Sequence, residues 1–270
     1  VGIPHGALDH LIAANVYRQG NALKDHLLFY GWYLLLMFLV AALWVFAPLA
    51  GFLLFMAISI SHFGQGDIEA FFPGMSYGRS VIASLSRGTL IIGLILSAHP
   101  SDSIPIIEQA LGGGSAFTVW LTEQASMLRV VFIAQFILIQ GGVALSWSRE
   151  RNVVLRFVGD SALIAALFYF APPLLSFAIY FAMWHSIGHI GEIRTYFESQ
   201  GVALTVGGFF ARALPFTLVS FVGLALLVWV TSSFGLQNQV ISLTFILISV
   251  LTLPHMVVAN SMLRKSHASS

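Results

Sequence analysis

Pro172-Pro173-Leu174-Leu175-Ser176-Phe177-Ala178-Ile179-Tyr180-Phe181-Ala182-Met183-Trp184-His185-Ser186-Ile187-Gly188-His189-Ile190-Gly191 contains no Asp, Glu, Lys or Arg. A helix needs about 20 such residues to cross hydrocarbon, so the stretch reads as a membrane span. It also carries two histidines four residues apart. An imidazole in lipid is unfavourable unless something pairs with it. At i and i+4 the two rings share one helix face and can hold one metal ion together.

The rest of the chain agrees with a membrane reading. Of 270 residues, 58% are hydrophobic and only 9% are charged, which excludes a water-soluble domain. A net charge of +1 argues against a nucleic-acid surface. Cysteine is absent, which excludes disulfides, thiolate metal sites and cysteine nucleophiles. The expectation is an all-α, polytopic membrane helix bundle forming one domain over 1–270. Eight spans are expected, near 27–47, 49–64, 79–98, 126–147, 153–171, 173–191, 209–231 and 239–263. Pro48 joins the first two tightly. Segment 99–125, with Pro100, Pro105 and Gly112-Gly113-Gly114, reads as a loop with room for a short interfacial helix.

The basic residues orient this map. Arg18, Lys24, Arg79, Arg149, Arg151, Arg156, Arg194, Arg212, Arg264 and Lys265 all fall on one side of it. By the positive-inside rule both termini are then cytoplasmic. Arg87 reads as snorkelling back to that side, and only Arg129 falls on the other. The first 25 residues are too polar to span and show no signal-peptide pattern. Ile3, Ala7, Leu8, Leu11, Ile12 and Val16 make an apolar stripe at helical spacing, after a Pro4 suited to a first turn. A short amphipathic or re-entrant N-terminal helix is expected there.

On this map six of the nine histidines crowd the cytoplasmic half: His5, His10, His62, His185, His189 and His255. His26, His99 and His267 fall in exposed positions. Several neutral imidazoles suit a ferrous ion with open positions for dioxygen. Asp9, Asp67 and Glu192 are at hand as acceptors that would fix imidazole tautomers. The competing reading of those carboxylates is a helix end in headgroup water. A lone membrane histidine is more often a packing residue than a ligand, which weighs most against His255. Pro254 beside it frees a backbone carbonyl that a nearby polar group would satisfy. His10 lies about 140° round a helix from His5, so it reads as supporting or interfacial. Gly64 and Gly66 read as ending the helix just after His62.

Gly2-Ile3-Pro4-His5-Gly6-Ala7-Leu8-Asp9-His10, Ser61-His62-Phe63-Gly64 with Asp67, Trp184-His185-Ser186-Ile187-Gly188-His189 and Leu253-Pro254-His255 occur in that order. Together they resemble the Brp/Blh family of bacterial and archaeal membrane β-carotene 15,15′-dioxygenases. The resemblance implies central cleavage of β-carotene with O2 to two molecules of all-trans-retinal, an Fe(2+) cofactor and supply of retinal to a microbial rhodopsin. It implies His5, His62, His185 and His189 as iron ligands, with no catalytic residue beyond the metal centre. It also implies a multi-pass protein of the cell inner membrane. Phe63, Tyr180, Trp184 and Met256, next to the ligands, are the first candidates to line the polyene. Segment 103–116 looks like an extra loop.

Three other classes stand as rivals. A di-iron membrane desaturase or hydroxylase would want more histidines, in HxxxH and HxxHH boxes, than the one HxxxH here. A histidine-based metal or proton transporter would carry polar groups through both halves of the bundle. A non-catalytic rhodopsin accessory protein would leave the histidines without metal. The chain does not read as an opsin, because Lys24 and Lys265 lie outside the spans.

Overall fold

A computed structural model describes residues 4–16, 22–72, 74–146 and 150–268. Those residues are overwhelmingly helical and include no strand. Seven helices among them are long and apolar enough to cross a membrane. They belong to α2 (Ala22–Phe46), α3 (Pro48–Phe71), α4 (Tyr77–Ser97), α6 (Ala116–Ser146), α7 (Arg151–Phe170), α10 (Val206–Ser233) and α11 (Val240–Ala268). The sixth expected span is a helical run in three parts: α8 (Pro173–Ile179), a π-turn (Tyr180–His185) and α9 (Ser186–Ser199). The protein is thus a multi-pass helical membrane protein.

By contact the chain falls into two compact units, Val1–Phe55 with His189–Ser270, and Met56–Gly188. In the first, the N-terminal segment begins as a 3-10 turn at Pro4–Leu8 and continues as α1 (Asp9–Val16). Its apolar stripe is used as a helix face should be. Leu8 and Ile12 are fully buried with Ile193, Phe209, Val258 and Met262. The Nζ of Lys265 donates to the Asn15 carbonyl at 2.8 Å, tying the far end of α11 to the end of α1. Ile3, Arg18 and Arg149, and the side chains of His5, Arg264 and His267, lie outside the described residues.

In the second unit, α3 and α4 meet backbone to backbone. A Cβ on Gly64 would overlap the Ser84 carbonyl, and one on Gly88 the Ile60 carbonyl. Small residues allow this approach in membranes, where van der Waals packing replaces the hydrophobic effect between helices. Gly64 and Gly66 therefore do not end the helix: α3 runs on to Phe71. The expected loop at 99–125 is also mostly helix. α5 (Pro100–Leu111) starts with Pro100 in its first turn and stops at Gly112, whose φ of 83° suits a residue without Cβ. α6 has already begun at Ala116. Segment 103–116 is thus largely α5 rather than an irregular insertion. Arg129, the one basic residue off the orientation map, points Nη1 at the Ser97 and Ala98 carbonyls at 3.4 Å, where α4 leaves acceptors open.

Candidate metal centre

His185 closes the π-turn. The carbonyl of Phe181 accepts both the Ser186 backbone N–H and, at 2.6 Å, the Ser186 hydroxyl. Such single wide turns are frequent at functional sites. His185 is buried against His62 of α3, with ring centroids 4.7 Å apart at 74°. Phe63 meets His185 edge-on at 4.8 Å, and Phe181 stacks on it at 5.6 Å. Phe63 also packs on Tyr180 at 5.6 Å, so this imidazole pair has an aromatic, water-poor wall.

The turn itself is held by a buried charge network. Arg87 of α4, with no exposed surface, donates through Nε to Asp67 at 2.9 Å, through Nη2 to Asp160 at 2.5 Å and through Nη1 to Ser161 at 2.7 Å. The Tyr180 hydroxyl donates to the other Asp67 oxygen at 3.3 Å, and Trp184 Nε1 to the other Asp160 oxygen at 2.7 Å. Both ends of the π-turn are therefore pinned by carboxylates that Arg87 neutralises in part. Arg87 does not snorkel. Asp67 faces Arg87 and Tyr180 instead of an imidazole nitrogen.

In the other unit His189 lies beside His255 of α11, rings 5.2 Å apart at 86°. Glu192 Oε2 stands 3.0 Å from His189 Nδ1, and Asp9 Oδ2 stands 2.9 Å from His255 Nδ1. The Tyr33 hydroxyl donates to the same Asp9 oxygen at 3.0 Å. A carboxylate on Nδ1 favours the tautomer whose lone pair is on Nε2, the arrangement common behind metal-bound histidines. His10 instead rests on the Phe216 ring at 4.5 Å, and burial lowers its pKa. Met256 is half-buried on α11. His26 stacks loosely on Tyr30, and His99 Nε2 lies 2.9 Å from the Tyr169 carbonyl.

Among the described residues no three His, Asp or Glu side chains form a group able to hold a metal ion. The structure brings the predicted histidines together as two pairs, His62 with His185 and His189 with His255. The chemistry of each pair fits a metal. Two imidazoles bound about 2.1 Å from one ion at a near-tetrahedral angle have ring centres roughly 5 Å apart. Asp160, Tyr33 and the role of Arg87 were missed by sequence reasoning. Asp160 lies inside an apolar span, and an intramembrane carboxylate is itself a signal.

An integral-membrane helical protein with two buried imidazole pairs, one of them backed by carboxylates, is the class that these features define. Over residues 1–263 the chain matches the family described as Beta-carotene 15,15'-dioxygenase. It belongs to that family. It is 28% identical to "Probable beta-carotene 15,15'-dioxygenase Blh" of Halobacterium salinarum, over 97% of this chain and 81% of the relative. It is 25% identical to "Beta-carotene 15,15'-dioxygenase" of an uncultured marine bacterium, over 98% of this chain and 90% of the relative. No solved structure matches it.

Proposed function

We propose that this protein splits the 15,15′ double bond of β-carotene with dioxygen, giving two molecules of retinal. Family membership over nearly the whole chain is the observation that carries this reading. The reaction balances without a further reductant: one C=C and one O2 become two C=O groups. A ferrous ion held by His5, His62, His185 and His189 would supply the one-electron chemistry that lets ground-state dioxygen react with a closed-shell alkene. Glu192 on Nδ1 keeps His189 in the tautomer that can ligate. Phe63, Phe181 and Tyr180 offer an apolar wall beside His185 for a polyene and keep water away. No side chain is asked to move a proton. The substrate dissolves in the bilayer and the product is an apolar aldehyde, so both reach a membrane site laterally. A retinal-accepting rhodopsin in the same membrane would be a fitting recipient.

Purified protein given β-carotene in air should form retinal as its only major aldehyde. Apocarotenals of unequal length, or retinal formed without dioxygen or after complete chelation of iron, would overturn the reading. The orientation has its own test. Eight crossings, with the Lys and Arg residues on one side, would put both termini in the cytoplasm. Reporters fused at Gln237 and after Ser270 should then report opposite sides of the membrane. The same side for both would refute the map.

A further inference from the structure

His255 is prepared for a cation in the same way as His189. Both rings are buried, they lie 5.2 Å apart edge to face, and each has a carboxylate on Nδ1. The acceptor on His255 is the more elaborate of the two. Both oxygens of Asp9 lie 2.9 Å from Nδ1, and Tyr33 donates to one of them. Asp9 is only 4% exposed, so it sits there at a desolvation cost that an ordinary packing histidine would not require. The 3-10 turn that carries His5 in its backbone also reaches this ring: a Cβ on Gly6 would lie 3.5 Å from His255 Nδ1. Carboxylate, tautomer and a neighbouring imidazole thus stand together at one place in α11.

We propose that His255 is a further metal ligand beside His189, through Nε2, and that Asp9 and Tyr33 are its positioning residues. The proposal rests on the iron reading given above. Its rival is an imidazolium ion-paired with Asp9, which would have no lone pair for a metal.

Cobalt(II) tests it, because the visible bands of the high-spin ion respond to the number and kind of its ligands. Unmodified protein loaded with cobalt(II) should bind one ion and show such bands. His255→Ala and His255→Gln, folded by size exclusion and circular dichroism, should bind cobalt(II) more than about 100-fold more weakly, with altered bands. Added imidazole should return the bands of His255→Ala toward those of the unmodified protein. Asp9→Asn keeps an acceptor oxygen, so it should retain the bands with binding about 10–100-fold weaker. Unchanged affinity and bands in a folded His255 variant would overturn the proposal alone. If neither variant folds, X-ray absorption at the iron edge of the unmodified protein decides. Five imidazoles support the proposal; four or fewer count against it. Unmodified protein that binds neither iron nor cobalt(II) would remove the iron reading as well.

Discussion

Arg87→Met is expected to destabilise the protein by about 3–5 kcal/mol, the usual result of leaving buried charge uncompensated. The guanidinium has no exposed surface and is shared between Asp67 and Asp160. Methionine fills much of its volume but leaves both carboxylates without a cation in a membrane interior. Arg87→Lys should recover only part of the loss, since an ammonium cannot reproduce three directed bonds from one planar fork. Adding Asp67→Asn and Asp160→Asn to Arg87→Met removes the stranded charges and should restore much of the stability. Thermal unfolding in detergent, followed by circular dichroism, measures this. An Arg87→Met protein as stable as the parent would mean that the network contributes no stability.

His185→Ala is expected to lose metal and to lower turnover more than about 100-fold, beyond the 10–100-fold typical of an outer partner of a ligand. Its helix should persist, because the Ser186 contacts with Phe181 do not involve the imidazole. His10→Ala should change turnover only a few-fold, because its ring rests on Phe216. Iron content and retinal yield of both variants, measured beside circular dichroism, make the comparison. Full activity in folded His185→Ala would remove this histidine from the reaction.

The bundle was largely legible because apolar length is a coarse signal that survives errors of several residues. The Pro48 joint and the break at Pro172-Pro173 appear where a missing N–H and a fixed φ require them. The N-terminal stripe was legible for the same kind of reason: Leu8 and Ile12 are four apart and both fully buried. What failed was reading residue type without its neighbour. Gly64 looks like a helix breaker alone, yet its use is to admit the backbone of α4. Arg87 looks like a snorkelling cation until Asp160, 73 residues later, is set beside it. The Gly-rich stretch near 112 hid α5 because turn residues also mark the short gap between two helices. At the candidate site, the pairing of Glu192 with His189 was legible from local spacing. The pairings of Asp9 with His255 and of Asp160 with Trp184 were not, because no local pattern encodes contacts over such separations.

The close meeting of α3 and α4 also bears on how the chain enters the bilayer. A lone arginine at the centre of an inserting helix costs about 2.5–3.5 kcal/mol. Asp67 and Arg87 are only 20 residues apart, on successive helices that touch through Gly64 and Gly88. A nascent hairpin of α3 and α4 therefore carries its own counter-ion. It can leave the translocon as a neutral pair well before the ribosome has made Asp160. The later carboxylate then arrives at a guanidinium already in place, with Trp184 following to complete its hydrogen bonding. The carboxylate that first neutralises Arg87 thus precedes the arginine in the chain, and Asp160 follows it.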